Sequence, residues 1–147
     1  MGCTISEAAK RSGLTAYTLR YYDKEGLLPF VDRTSAGNRD FKESDFEWLN
    51  LITCLKRTGM PVKNIREFIN WCREGDATLQ QRLMMFLRHQ KEVQAQMAEL
   101  EHCMEKINYK IWYYTKAVEA GTEAVHNKDT CETAASSTTK FITANVS

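Results

Sequence analysis

The chain has 147 residues, 43% of them hydrophobic and 27% charged, a composition close to the globular average that excludes bulk disorder. Its 20 basic and 19 acidic side chains leave a formal charge of +1, so no net field draws the whole chain to nucleic acid and any basic surface must be local. No apolar run approaches the ~18 residues that span a bilayer, and Met1 to Ile5 carries neither the charged flank nor the long apolar stretch of a secretory signal. Cys3, Cys54, Cys72, Cys103 and Cys131 include no Cys-x-x-Cys pair, and His89, His102 and His126 are too widely spaced for a zinc site. The expectation is a cytoplasmic chain with free thiols, no metal and no cofactor.

Glycines at 13, 26, 37, 59 and 75 punctuate a first region, residues 1–75, dense in short helix signals. Ser6, or alternatively Thr4, caps a helix through Ser12 that Gly13 ends. Thr15 caps a second, Ala16 to Glu25, stopped by Gly26. Two short helices joined by a tight turn form a helix-turn-helix candidate. In the second helix Tyr17, Arg20, Tyr21 and Lys24 share one face at i, i+3, i+4 and i+7, while Leu19 and Tyr22 point the opposite way. Two cations and two phenols on one face suit a DNA groove, the cations meeting phosphate or guanine. The alternative is a solvated face with locally packed tyrosines.

Beyond Pro29, residues Phe30 to Arg33 and Arg39 to Phe41 read as a small hairpin turned by Ala36-Gly37-Asn38. Arg33 and Arg39 flank its tip, where they straddle a backbone or enter a minor groove, or else are ordinary surface arginines. Ser44 and Glu47 form a capping-box pattern for a third helix with an apolar face of Trp48, Leu51, Ile52 and Leu55. Gly59 stops it. Pro61 opens a fourth helix, whose inner face is Ile65, Phe68, Ile69 and Cys72.

Residues 76–120 hold neither Gly nor Pro. Leu79, Leu83, Phe86, Gln90, Val93, Met97, Leu100, Met104, Ile107, Ile111, Tyr114 and Val118 alternate four- and three-residue steps, and all but Gln90 are apolar. That 3.5-residue period predicts a left-handed coiled coil, with Asp76 as N-cap, Gly121 as the stop and a length of roughly 65 Å. Little else in the chain is long enough to cover the stripe, so the expected partner is a second copy in a two-fold dimer. A helix folded on its own domain and a bundle of three or four chains are the alternatives, and periodicity leaves parallel and antiparallel pairing open. Residues 121–147, rich in Thr, Ser and Ala, read as a flexible polar tail. The fold class is therefore mainly α: a winged helix-turn-helix followed by a long dimerisation helix.

The order of these features resembles the MerR family of bacterial transcription regulators. The matching residues are Thr4-Ile5-Ser6-Glu7-Ala8-Ala9, Gly13-Leu14-Thr15, Thr18-Leu19-Arg20-Tyr21-Tyr22-Asp23, Gly26-Leu27-Leu28, Gly37-Asn38-Arg39-Asp40-Phe41, Gly59-Met60 and Ile65-Arg66. The resemblance implies that Thr15, Tyr17, Thr18, Arg20, Tyr21, Lys24, Arg33, Asn38 and Arg39 contact DNA. Many members carry an aromatic where Asn38 stands, which leaves Arg39 the stronger wing contact. The resemblance also implies a homodimer on a near-palindromic operator, bending and untwisting promoter DNA for RNA polymerase.

The large ligand domain that drug-sensing members carry after the long helix is not expected here, and only Cys131 lies where metal-sensing members place a cysteine pair. A subgroup of small members with one cysteine in the third helix, associated with aldehyde and thiol stress, resembles Leu51-Ile52-Thr53-Cys54-Leu55-Lys56. Cys54 sits at the edge of its helix's apolar stripe with Arg57 nearby, and is the candidate sensor thiol. It is alternatively a small hydrophobic filler. Other readings are a regulator responding to a small ligand or acting constitutively, and a coiled-coil scaffold. Nothing in the sequence resembles an enzyme's catalytic set.

Overall fold

The computed structural model describes residues 2–128, in the order α1 (Ile5–Ser12), α2 (Ala16–Lys24), β1 (Asp32–Arg33), β2 (Arg39–Asp40), α3 (Glu43–Arg57), α4 (Val62–Glu74) and α5 (Leu79–Ala120). This is the mainly helical architecture that the sequence predicts. Contacts divide the chain after Gln90 into two compact units.

In the first unit, α1 starts at Thr4 rather than Ser6. The Thr4 hydroxyl accepts from the Glu7 backbone N–H (3.3 Å), and the Glu7 carboxylate accepts from the Thr4 N–H (2.7 Å). A glutamate three residues after Thr4 closes that box; Ser6 has Ala9 at the same spacing. Thr15 caps α2 by accepting from the Thr18 N–H (3.0 Å). Gly26 follows at φ 76°, a left-handed conformation that suits glycine and redirects the chain out of α2. Leu27 and Leu28 then turn inward and are fully buried.

The wing is short. Asp32 pairs with Asp40 and Arg33 with Arg39, around a tip where Gly37 has φ 85°. Cys3 extends this ribbon, exchanging two backbone hydrogen bonds with Phe41 (2.8 and 2.9 Å), so the start of the chain is tied to the base of the wing.

Helix α3 begins at Glu43, not after Ser44. Lys42 occupies the cap position, and its backbone N–H donates to Asp45 (2.8 Å). Asp45 is buried but supplied with partners, including the Lys42 ammonium at 3.6 Å. The buried face of α3 is Leu49, Ile52 and Leu55, with Trp48 and Leu51 half-buried beside it; Leu49 was missing from the sequence-derived stripe. Pro61 stands one residue before α4, as its N-cap. Ile65, Phe68 and Ile69 bury the inner face, and Cys72 is half-buried.

Asp76–Thr78 forms a 3₁₀ turn, and the α-helical part of the long helix begins at Leu79. The Thr78 hydroxyl reaches the carbonyls of Trp71 (2.6 Å) and Gly75 (2.8 Å), and Arg82 donates to Gly75 O (2.7 Å). These bonds satisfy the carbonyls that α4 leaves at its end. The first turns of α5 pack on the core: Met85 and His89 are buried, and Phe86 meets Phe68 edge-on at 5.0 Å between ring centroids. Phe86, a seam position by period, thus spends much of its surface on its own unit.

In the second unit α5 continues to Ala120. Gly121, at φ 70°, ends it with Gly121 N–H on Val118 O (3.2 Å) and Thr122 N–H on Ala117 O (3.0 Å). In the segment after it, which the sequence reads as a flexible polar tail, Glu123–Lys128 forms a 3₁₀ helix, where His126 stacks on Tyr113 (3.8 Å, 15°) and donates to the Tyr113 carbonyl (2.8 Å). The remainder of that segment, with Cys131, lies outside the described residues. Met97, Leu100, Met104, Ile107, Ile111, Tyr114 and Val118 are all at least half exposed, a continuous apolar stripe along one side of the helix.

Candidate nucleic-acid interface

The face of α2 opposite the core is built as its spacing requires. Leu19 and Tyr22 are buried, which turns Tyr17, Arg20, Tyr21 and Lys24 outward, all exposed. Tyr17 is the extreme case at 79% exposure. Such a phenol has no packing role that justifies its position and is available to pack on sugar or donate to phosphate. Tyr21 is less free, because the Lys56 ammonium lies over its ring at 5.8 Å. The hydroxyls of Thr15 and Thr18 share a hydrogen bond of 2.9 Å at the exposed start of the helix.

The wing stands beside α2, and Asp23 fixes it there. One carboxylate oxygen of Asp23 accepts from Arg39 Nε (2.9 Å), from a terminal Arg39 nitrogen (2.6 Å) and from Arg33 (3.0 Å). Arg33 also closes the turn by donating to Gly37 O (2.9 Å). The two arginines that flank the tip therefore converge on one acid at the end of α2. Arg33 remains half exposed, whereas the Arg39 side chain is 22% exposed. Arg39, the stronger wing contact by sequence, is here mainly the bolt between wing and helix. Asn38 is exposed at the tip, its backbone engaged with Thr34 on both sides.

Between the wing and the start of α1, with Arg20 of α2 at its edge, lies a cleft of about 450 Å³, lined by Cys3, Thr4, Glu7, Arg20, Asn38 and Arg39 among others. Sequence reasoning collected Arg20, Asn38 and Arg39 but not Asp23 or the Cys3-Thr4 edge. The signal for Asp23 was present, since it closes the Thr18–Asp23 run. The carboxylate of Glu7 at this edge is held below the usual carboxylate range by the backbone N–H and the hydroxyl of Thr4.

Away from this face, Cys54 is exposed on the last turn of α3. Cys103 is exposed on α5, and Cys3 and Cys72 are half-buried. Among the described residues no three His, Cys, Asp or Glu side chains gather as a metal site, and no helix is long and apolar enough to cross a membrane.

Comparison with known proteins agrees in kind. Residues 3–70 match the family described as MerR HTH family regulatory protein, and residues 46–108 match the one described as MerR, DNA binding. An uncharacterized HTH-type transcriptional regulator of Haemophilus influenzae is 45% identical over 122 residues, covering 83% of this chain and 90% of that protein. The HTH-type transcriptional regulator AdhR of Bacillus subtilis is 41% identical over 78 residues, 53% of this chain and 56% of AdhR. The solved structure of HiNmlR, a MerR family regulator lacking the sensor domain, bound to promoter DNA, superposes with a TM-score of 0.78 at 44% identity, covering 85% of this chain and 99% of HiNmlR.

Proposed function

The chain belongs to the MerR family of helix-turn-helix regulatory proteins, and from that membership we propose that it acts as a homodimer that reads a near-palindromic promoter site and distorts it. It is a DNA-binding transcriptional regulator. Residues 1–75 supply the reading head, with Tyr17, Arg20 and Lys24 entering the groove while Thr15, Thr18, Tyr21, Arg33 and Asn38 hold phosphate or sugar. Arg39 sets the wing through Asp23. Residues 76–120 supply the dimer. The stripe from Met97 to Val118, at least half exposed throughout, supports this reading: isolated in water, such a seam costs free energy that a second helix recovers. Two heads held at a fixed separation bend the DNA between their half-sites, and RNA polymerase reads the altered shape. The observation that carries the proposal is the outward face of α2, where Tyr17, Arg20, Tyr21 and Lys24 are exposed and backed by buried Leu19 and Tyr22. The test is binding to a labelled operator duplex in a salt series. The expected result is a log-affinity that falls steeply with log salt, and a shallower slope for Lys24→Ala. Equal affinity for operator and unrelated duplex would remove the proposal.

A second proposal concerns the signal. Cys54 is exposed, not the buried filler that a free cysteine commonly is, and this favours its reading as a sensor thiol. Its thiol gives its proton to water and the sulfur adds to the β-carbon of an α,β-unsaturated aldehyde: a C–S bond forms, the C=C π pair moves to the α-carbon, and that carbon takes a proton back from water. No oxidant is needed. In-vitro transcription with acrolein, wild type against Cys54→Ser, tests it. A response confined to the wild type is expected, and an equal response in both would overturn it.

A further inference from the structure

The last turn of α3 is a junction. Thr58 stands four residues after Cys54, on the same side of the helix. Its backbone N–H donates to the Cys54 carbonyl (3.1 Å), and its hydroxyl reaches the same carbonyl (2.8 Å) and the Leu55 carbonyl (3.2 Å). The same hydroxyl oxygen lies 2.7 Å from Nε2 of His89. That contact is one hydrogen bond between Thr58 and His89, its proton coming from the hydroxyl or from Nε2–H according to the imidazole tautomer. His89 is buried on the third turn of α5. The chain of contact therefore runs from the Cys54 backbone through one hydroxyl to a histidine on the long helix. Two residues from Cys54, Lys56 lies over the ring of Tyr21 on α2. One helical turn thus touches both the long helix and the DNA-reading helix.

We propose that Thr58 and His89 are the positioning residues that pass a change at Cys54 to α5. The inference rests on the reading of Cys54 as a sensor thiol and names its route. A group added at the exposed sulfur crowds the face across which Thr58 leans back to the Cys54 carbonyl. When the last turn yields, the hydroxyl turns away from His89, a part-buried hydrogen bond is broken, and the early turns of α5 repack. Bistable packing of this kind converts a local change into a displacement of a whole element.

The test uses the full chain and acrolein as the probe. Wild type, Cys54→Ser, Thr58→Val, Thr58→Ser and His89→Leu are compared for operator binding, for Cys54 adduct by mass spectrometry, and for in-vitro transcription with and without treatment. Thr58→Val keeps the shape of the side chain and removes the hydroxyl. It is expected to bind operator as the wild type does, to form the adduct, and to lose the transcriptional response. Thr58→Ser, which keeps the hydroxyl, is expected to restore it, and His89→Leu to lose it as Thr58→Val does. If Thr58→Val carries the adduct and still responds as wild type, the route is overturned while the sensor stands. If wild type and Cys54→Ser behave alike, the sensor reading itself fails, and the route falls with it for want of a signal.

Discussion

Removing Asp23 should separate specific from non-specific DNA binding. In the Asp23→Ala variant, Arg39 and Arg33 lose the carboxylate on which both converge, and the wing loses its bolt to α2. Exposed ion pairs contribute ~0–1 kcal/mol, and charge-assisted hydrogen bonds in protected settings ~1.5–3 kcal/mol. With Asp23 and Arg39 side chains 23% and 22% exposed, the tether lies between these, at about 1–2 kcal/mol. Operator binding requires the wing in register with α2, so this ordering cost passes into the operator complex. Non-specific binding rests on charge, which the loss of one acid leaves intact or strengthens. The ratio of operator to non-operator affinity should fall roughly 5- to 30-fold. Fluorescence anisotropy on both duplexes at matched salt measures it, with a thermal melt to establish that the variant is folded. A folded variant with an unchanged ratio would refute the reasoning, because the wing would then need no anchor at Asp23.

Leu100→Glu places a charge within the stripe, at a position 69% exposed. It should convert the dimer to monomer by analytical ultracentrifugation while leaving the melting of the reading head unchanged. Phe86→Ala should instead lower the stability of the head by about 2–3 kcal/mol in urea unfolding, less than the ~3–5 of a fully buried Phe, since Phe86 is half-buried and packs against Phe68. A loss confined to dimerisation would return Phe86 to the seam. For Glu7 the sign follows from its lowered pKa. The ionised carboxylate is stabilised in the folded chain, so its contribution is complete above the ordinary glutamate range and is lost as pH falls through and below it. Glu7→Gln should therefore flatten the acid limb of a melting-temperature profile, and an unchanged limb would assign that pH dependence elsewhere.

The elements were legible wherever one local rule governed them. Thr15, Gly26 and Pro61 each bound a helix by their own chemistry, and the period from Leu79 to Val118 identified the long helix. The errors lie where two local signals compete. Thr4 and Ser6 carry equivalent hydroxyls, and only the glutamate three residues after Thr4 separates them. Lys42 is a poor cap by propensity and holds the position because Asp45 takes its backbone N–H. A second class was illegible because it is tertiary. Period alone places Phe86 on the seam, and only the approach of Phe68 on α4 takes it off. The sequence reads Arg33 and Arg39 as available cations, and it cannot show that both close on an acid ten and sixteen residues away. Thr58 and His89, thirty-one residues apart, escape notice for the same reason.

The central claim is that two copies of this chain read DNA with α2 and the wing. Selection of bound duplexes from a random pool by the full-length protein tests it most directly, with Arg20→Ala run in parallel. The account predicts enrichment of a site with two half-sites related by a two-fold axis at one fixed spacing, and loss of that enrichment in the variant. A single unpaired half-site, or a pool no different from the input, would contradict it.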